Sequence, residues 1–201
     1  MPHYNRYIFS KNILFLDNIE SEVSAIAAKL KTSILTTIRR KGAIVGISGG
    51  IDSSVSAALA VKALGPENVI GVLLPEKDSS EDSKELALLL ARQLGIQTIE
   101  ENITSALDGF GCYRRRDEAV TSLFPEYNPK EYKMKIGINS TAIINNLPPV
   151  FSLTIVDKDG QEKSKMLPPK QYLQIVAASN FKQRCRMSML YYHAERLYFA
   201  V

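Results

Sequence analysis

Apolar residues Ile19, Val23, Ile26, Leu30, Ile34 and Ile38 recur every three or four positions, the spacing of one stripe on a helix. The run closes on Arg39, Arg40 and Lys41, cations suited to a helix C-terminus, so a long amphipathic helix ending near there is predicted. Ala43-Ile44-Val45-Gly46-Ile47 is short and continuously apolar, the pattern of a parallel strand covered on both faces. A glycine-rich turn follows. Residues 53 to 64, rich in Ser, Ala, Val and Leu and stopped by Gly65-Pro66, predict a second helix, and Val69 to Leu74 a second strand. Ser79 or Ser80 can cap a third helix with an acidic first turn (Glu81, Asp82), apolar positions Leu86, Leu89, Leu90 and Leu94, and Gly95 just past its end. Ile96 to Glu100 is the third strand.

Three strands joined by helices make a βαβαβ unit, which right-handed crossovers place in a parallel sheet. The fold class expected is therefore α/β, a doubly wound parallel sheet with helices on both faces. Regularity fails after Asp108. Between Gly109 and Pro149 the pattern is interrupted by Pro125, Pro129 and Pro148-Pro149, and only weak helical pieces can be assigned. Val150 to Val156, a turn at Asp157-Lys158-Asp159-Gly160, and Glu162 to Met166 read as a β-hairpin, so an insertion of about 109–169 is expected within one domain spanning 1–201. Lys170 to Arg196 resumes helical periodicity as two helices broken near Ser179-Asn180, and Leu197 to Val201 reads as the opening of another buried strand.

The 201 residues, 45% apolar and 23% charged, argue against disorder, and no uncharged stretch approaches the ~20 residues that span a bilayer. No secretory signal is visible between Met1 and Asn12, so a cytoplasmic location is expected. Cys112 and Cys185 form no CxxC and have few histidines for company, which leaves neither a zinc cluster nor a disulfide framework and makes both reduced, inert thiols. From Lys158 to Arg186 seven Lys or Arg face two Asp or Glu, and Arg114, Arg115 and Arg116 form a run. Such a surface attracts phosphates, or is simply a solvated basic face. No RRM, KH or zinc-finger signature accompanies it, so nucleic acid is not an expected partner.

The sharpest feature is Gly46-Ile47-Ser48-Gly49-Gly50-Ile51-Asp52-Ser53-Ser54, which runs from the C-terminal end of the first strand into a helix. Ligands of open α/β sheets bind there, and a glycine pair lets main-chain N–H groups approach an oxyanion with no Cβ in the way. Ser48, Ser53 and Ser54 add hydroxyls. Asp52 would repel phosphate unless a divalent cation lay between them, so Asp52 is the expected magnesium ligand. The spacing satisfies neither the Walker A loop nor G-x-G-x-x-G. The plainer alternative is a tight strand-to-helix turn with Asp52 as a dipole partner.

Ser48-Gly49-Gly50-Ile51-Asp52-Ser53 resembles the SGGxDS loop of the N-type ATP pyrophosphatases, the adenine nucleotide alpha hydrolase-like superfamily. Val45 to Ile99, and Asn180-Phe181-Lys182-Gln183-Arg184-Cys185-Arg186-Met187 followed by Leu190-Tyr191-Tyr192-His193-Ala194, are similar to ammonia-dependent NAD synthetase. The resemblance implies that Gly46, Ile47, Ser48, Gly49, Gly50, Ile51, Asp52 and Ser53 bind ATP. It also implies that the Asn-x-x-x-Arg-x-Arg-Met segment opens a helix at a subunit interface, and that its first arginine, Arg184, binds deamido-NAD. Read from the residues alone, Arg184 and Arg186 are an exposed basic helical face, Tyr191 and Tyr192 stack on a ring or belong to core or interface, and His193 is structural. The similarity covers the N-terminal two thirds of the family pattern, so truncation at the C-terminus is expected.

The implied reaction is the amidation of nicotinic acid adenine dinucleotide to NAD. The nicotinate carboxylate attacks the α-phosphorus of ATP, giving an acyl-adenylate and pyrophosphate, and ammonia displaces AMP. With no nucleophilic Cys at the N-terminus, free ammonia or ammonia from a separate protein is the implied nitrogen source. Rivals are another N-type pyrophosphatase acting on a different carboxylate or carbonyl, and a non-catalytic nucleotide-binding or dimerisation module. The N-terminal helix and the Arg-Met segment favour a homodimer.

Overall fold

The computed structural model describes residues 15–138 and 150–201. These sort into two compact units, the first of residues 15–74, 79–101 and 190–201, the second of 75–78, 102–138 and 150–189. Met1 to Asn12, and Pro148-Pro149 of the irregular stretch, lie outside the described residues.

In the first unit α1 (Ile19–Lys31) begins where the Asn18 side chain accepts the Ser21 N–H at 2.9 Å, with Glu20 and Glu22 favourably placed in the first turn. It continues as a π-helical turn, Thr32–Thr37, so the long helix foreseen to Arg39 widens before it ends. Of the predicted stripe Ile34 is buried, whereas Ile19 is 65% exposed and Ile26 and Ile38 are also open. β1 (Ala43–Gly46), β2 (Val69–Leu73) and β3 (Gln97–Glu100) are parallel and lie in that order, Ala43 opposite Val69 and Gly71 opposite Thr98. Their crossovers are α2 (Ile51–Leu64) and α3 (Glu81–Leu94). Ser80 caps α3 by accepting the Ser83 N–H, and Gly95 closes it in the left-handed region.

On the free side of β1 the Ile44 N–H donates to Ala200 O at 2.7 Å and the Ala200 N–H to Gly42 O at 2.8 Å, a parallel bridge where a further strand was expected. β1 therefore has neighbours on both sides. Ala43, Val69 and Leu73 share a core with Ile34 and with alanines Ala57, Ala60, Ala87 and Ala91, whose small side chains let α2 and α3 lie close to the sheet. On the opposite face Gly46 meets Leu190, so helices cover both sides as the patterning indicates.

The second unit contains α4 (Thr104–Gly109), α5 (Cys112–Thr121) and an antiparallel sheet of β4 (Lys133–Ile138), β5 (Phe151–Val156) and β6 (Glu162–Met166), in that order. The expected hairpin is β5–β6. Its turn closes because the Asp157 carboxylate accepts the N–H groups of Asp159 and Gln161 at 2.9 and 2.8 Å, while Gly160 takes a positive φ of 79°. β4, where only weak helical pieces were expected, makes it three-stranded. Leu153 and Ile155 of the central strand are fully buried against Val120, Phe124, Tyr127 and Ile175. The edges carry Lys133, Lys135, Lys163 and Lys165, charges that discourage pairing with another sheet.

The expected break near Ser179-Asn180 is absent. α6 (Pro169–Leu197) is one helix of 29 residues, its part up to Met189 in the second unit and the remainder in the first. Neither residue is Gly or Pro, and Asn180 is exposed, where its amide can bond to water instead of competing for the backbone. The Asn180–Met187 segment consequently lies within a helix and does not open one. No helix among the described residues is long and apolar enough to cross a membrane.

Gly42 marks the tightest approach beside β1. A Cβ there would run into the main-chain oxygen of Asn68 and come within 2.7 Å of the Phe199 ring. Gly42→Ala should cost about 1–3 kcal/mol in a urea unfolding titration, the usual penalty of overpacking where main chain cannot yield.

Candidate functional site

Gly46, Ile47, Ser48, Gly49, Gly50, Ile51, Asp52 and Ser53 all gather at the C-terminal end of β1 and the first turn of α2. The Ile47 N–H donates to Val72 O at 3.0 Å, so the strand's pairing holds the chain until the bend begins. Gly49 has φ +77°, and a Cβ there would stand 2.6 Å from Ser83 O and 3.1 Å from Leu86 Cβ. Only glycine lets the main chain turn so close to α3. Gly50 is the N-cap of α2 and supplies no side chain, leaving the N–H groups of Ile51, Asp52 and Ser53 outside the helical ladder and directed past its start.

The serines hold this bend open. The Ser53 hydroxyl donates to Gly50 O at 2.9 Å and its oxygen accepts the Ser48 N–H at 3.2 Å, while the Ser48 oxygen accepts the Gly50 N–H at 3.3 Å. The Ser54 hydroxyl and N–H also reach Gly50 O, at 2.9 and 3.1 Å. Three donors converge on one carbonyl with two lone pairs, so a serine hydroxyl can swing to an arriving oxyanion at little cost. Asp52 lies exposed in the same first turn. Among the described residues no three His, Cys, Asp or Glu side chains form a group able to hold a metal ion. One carboxylate suits magnesium, which keeps waters and takes phosphate oxygens beside one or two protein carboxylates.

Arg184 stands in the second unit, exposed on α6 at a cavity wall. Tyr191 and Tyr192 are more than half exposed, so neither is core. Buried His193 donates through Nε2 to Glu101 at 3.0 Å and accepts the Arg196 Nε–H at Nδ1, the structural role foreseen. Cys112 and Cys185 are free and buried. Burial pushes both thiols up, and the Cys112 thiol donates to Ala178 O.

A charged network in the second unit escaped the sequence reading. Glu76, in the loop beyond β2, accepts the Lys182 ammonium at 2.7 Å, the Tyr113 hydroxyl at 2.8 Å and the Asp78 N–H at 3.0 Å. Lys182 also reaches Asp78 at 2.8 Å, and Arg116 bridges Asp78 and Asp117. Burial alone would raise the carboxyls of Glu76 and Asp78. The bonds from Lys182, with Tyr113 and the Asp78 N–H for Glu76 and Arg116 for Asp78, outweigh it and hold both below the ordinary carboxylate range. Burial pushes the Tyr127 phenol up to about 12, helped by Asp117. The one available signal was a pair of acids, Glu76 and Asp78, just past a strand's carboxyl end.

Much of the basic stretch is likewise consumed internally. Lys163 pairs with Glu126 at 3.0 Å, Lys158 approaches Glu131 at 3.9 Å and Lys165 donates to Leu123 O. The expectation of an open phosphate-attracting face narrows to Arg184 and a few neighbours.

The profile of the NAD synthase family matches residues 22–143. The NH(3)-dependent NAD(+) synthetase of Rhizobium meliloti is 42% identical over 200 residues, covering 100% of this chain and 59% of the relative; that of Mesorhizobium japonicum is 45% identical over 181 residues, covering 90% and 56%. This chain thus spans rather more than half the length of those curated relatives. Among solved structures, the NH3-dependent NAD synthetase from Campylobacter jejuni has a TM-score of 0.56 at 21% identity, over 92% of this chain and 55% of its own. The NMN synthetase from Francisella tularensis has a TM-score of 0.55 at 20% identity, over 90% and 51%. At such identity the likeness is one of fold.

Lys182→Met takes the cation from buried Glu76 and from the exposed Asp78, which keeps Arg116, and should destabilise the chain by about 1–3 kcal/mol in chemical denaturation. Because Glu76 and Asp78 have folded values below 4.5 and 3.8, the network's contribution is full above those values and is lost as pH falls through the folded ones. An acid titration followed by circular dichroism should show that loss, and a smaller one in Lys182→Met.

Proposed function

The chain belongs to the NAD synthase family, and we propose that it carries the ATP-binding part of an enzyme that amidates deamido-NAD to NAD with ammonia. The observation that carries this is the bend at the end of β1: three first-turn N–H groups, serine hydroxyls on a crowded carbonyl, and Asp52 beside them. The same set cradles a triphosphate. The names of the relatives, NH(3)-dependent NAD(+) synthetases, support ammonia as the nitrogen source and NAD as the product.

In this reading the N–H groups of Ile51, Asp52 and Ser53 and the hydroxyls of Ser48 and Ser53 hold the β- and γ-phosphates, the pyrophosphate that departs when the nicotinate carboxylate attacks the α-phosphorus. Donors fixed where charge develops stabilise that departure without reorganising. Asp52 would hold magnesium together with the phosphates, and the ion supplies charge neutralisation on the leaving group. Adenylation needs no general base, because the attacking carboxylate is already an anion. Arg184 binds the dinucleotide, for which a guanidinium fork is well suited to phosphate or carboxylate. Ammonia then displaces AMP.

A homodimer belongs to the same proposal. Phe15, Leu16 and Ile19 are more than half exposed at and before the start of α1, with Ile26 also open on that helix. A second copy would cover them. A cytoplasmic location, where ATP is supplied, goes with this reading.

Asp52→Asn should lower deamido-NAD-dependent pyrophosphate release from ATP by about 10²-fold or more, measured in the protein extended to the length of its relatives. Turnover near that of the unsubstituted protein would refute the magnesium role, and release triggered equally by unrelated carboxylates would refute the acceptor. Ile26→Glu should shift the sedimentation of this chain from dimer to monomer with its circular dichroism unchanged, because a charge cannot be buried unpaired in an apolar contact.

A further inference from the structure

The second unit holds a cavity of about 530 Å³ between α5 and α6, within the size range of small-molecule sites. Ala177 and Ala178 form an apolar stretch of its wall, and Phe181 borders it, one ring face stacked on Phe110 with centroids 5.4 Å apart and planes 6° from parallel. Two ties fix the spacing of the walls. The Gln174 side chain donates to Arg115 O at 2.8 Å, and the Cys112 thiol to Ala178 O at 3.1 Å.

The cations around this cavity are not equivalent. Arg114 is held by Glu118 at 2.6 Å, and Arg116 is turned into the network with Asp78 and Asp117. Arg115 and Arg184 also line the cavity, exposed, and among the described residues neither enters an ion pair. Two free guanidinium forks, one from each helix, border a partly apolar hollow. That combination recognises an anionic group attached to a flat, weakly polar body.

We infer that Arg115 is a second substrate-binding arginine: with Arg184 it grips an anion of the nicotinic acid mononucleotide half of the dinucleotide, whose ring lies over Ala177, Ala178 and Phe181. This rests on the function proposed above for its choice of ligand. The anion is the pyridine carboxylate or the adjoining phosphate, the same chemistry for a guanidinium.

The test is a calorimetric titration of the 201-residue chain with nicotinic acid mononucleotide, nicotinamide mononucleotide and nicotinic acid. Arg115→Ala should weaken nicotinic acid mononucleotide binding about tenfold or more, the scale of one charge-assisted contact, and Arg115→Lys should recover part of it. Lys135→Ala, which removes an equal charge from β4, should leave it unchanged. Nicotinamide mononucleotide binding as tightly as the acid assigns the anion to the phosphate; binding about tenfold more weakly, with nicotinic acid itself retained, assigns it to the carboxylate. No binding of the mononucleotide, or equal binding by Arg115→Ala and the unsubstituted chain, overturns the inference. If binding depends on Arg115 while the extended protein does not amidate deamido-NAD, the function reading fails and this site stands. If amidation occurs and Arg115→Ala leaves KM for deamido-NAD unchanged, the reverse holds.

Discussion

The site depends on β1 having a partner on each side. Its hydrogen bonds go to β2 along one edge and to Ala200 along the other, so the bend leaving its carboxyl end opens where the connections of the sheet diverge. The Ile47 N–H still belongs to the sheet, through Val72, and Gly49, two residues on, already presses against the main chain of α3. Between these two anchors the chain must turn with positive φ and enter α2 without a capping side chain. Each constraint is structural, and together they leave helix-start amides free to face a ligand.

The electrostatics follow a similar economy. The chain carries a formal net charge of +4, yet Lys163, Lys158 and Lys182 approach carboxylates in its own second unit. The run Arg114-Arg115-Arg116 shows why counting charges along the sequence misleads. Successive residues on a helix point about 100° apart, so three adjacent arginines meet three surroundings. One finds Glu118 a turn later, one the Asp78–Asp117 cluster, and one solvent beside a cavity.

The parallel unit was legible because periodicity and punctuation agreed there: a short apolar run, a glycine bend, alanine-rich helices stopped by Gly65-Pro66 and Gly95. The glycine-serine bend was legible as a motif, and its serine hydrogen bonds follow from the order of its residues. β4 was missed although Lys133-Met134-Lys135-Ile136-Gly137-Ile138 sets apolar residues at every second position, as a half-buried strand does, because it lies between prolines that suggested loop. Its identity comes from pairing with β5, a contact far along the chain. The Glu76–Lys182 pair spans 106 positions and leaves no local trace. α6 was divided in error because Ser179-Asn180 was weighed by local propensity, which tertiary packing overrides.

That uninterrupted helix decides what Arg184 can do. Lys182 and Arg184 are two positions apart and so point about 200° from one another around the axis, whereas Phe181 and Arg184, three apart, share a face. Lys182 is committed inward, to Glu76 and Asp78. With the rotation of α6 fixed by that commitment, Arg184 is turned to the cavity side together with Phe181, without an acid of its own to occupy it. A helix broken at Ser179-Asn180 would still place the three residues in one segment, but Gln174 and Ala178, which tie that segment to α5, would lie across the break. Continuity from Pro169 onward lets the ties at Gln174 and Ala178 and the ionic lock at Lys182 act on one rigid element, and it is their agreement that aims the arginine.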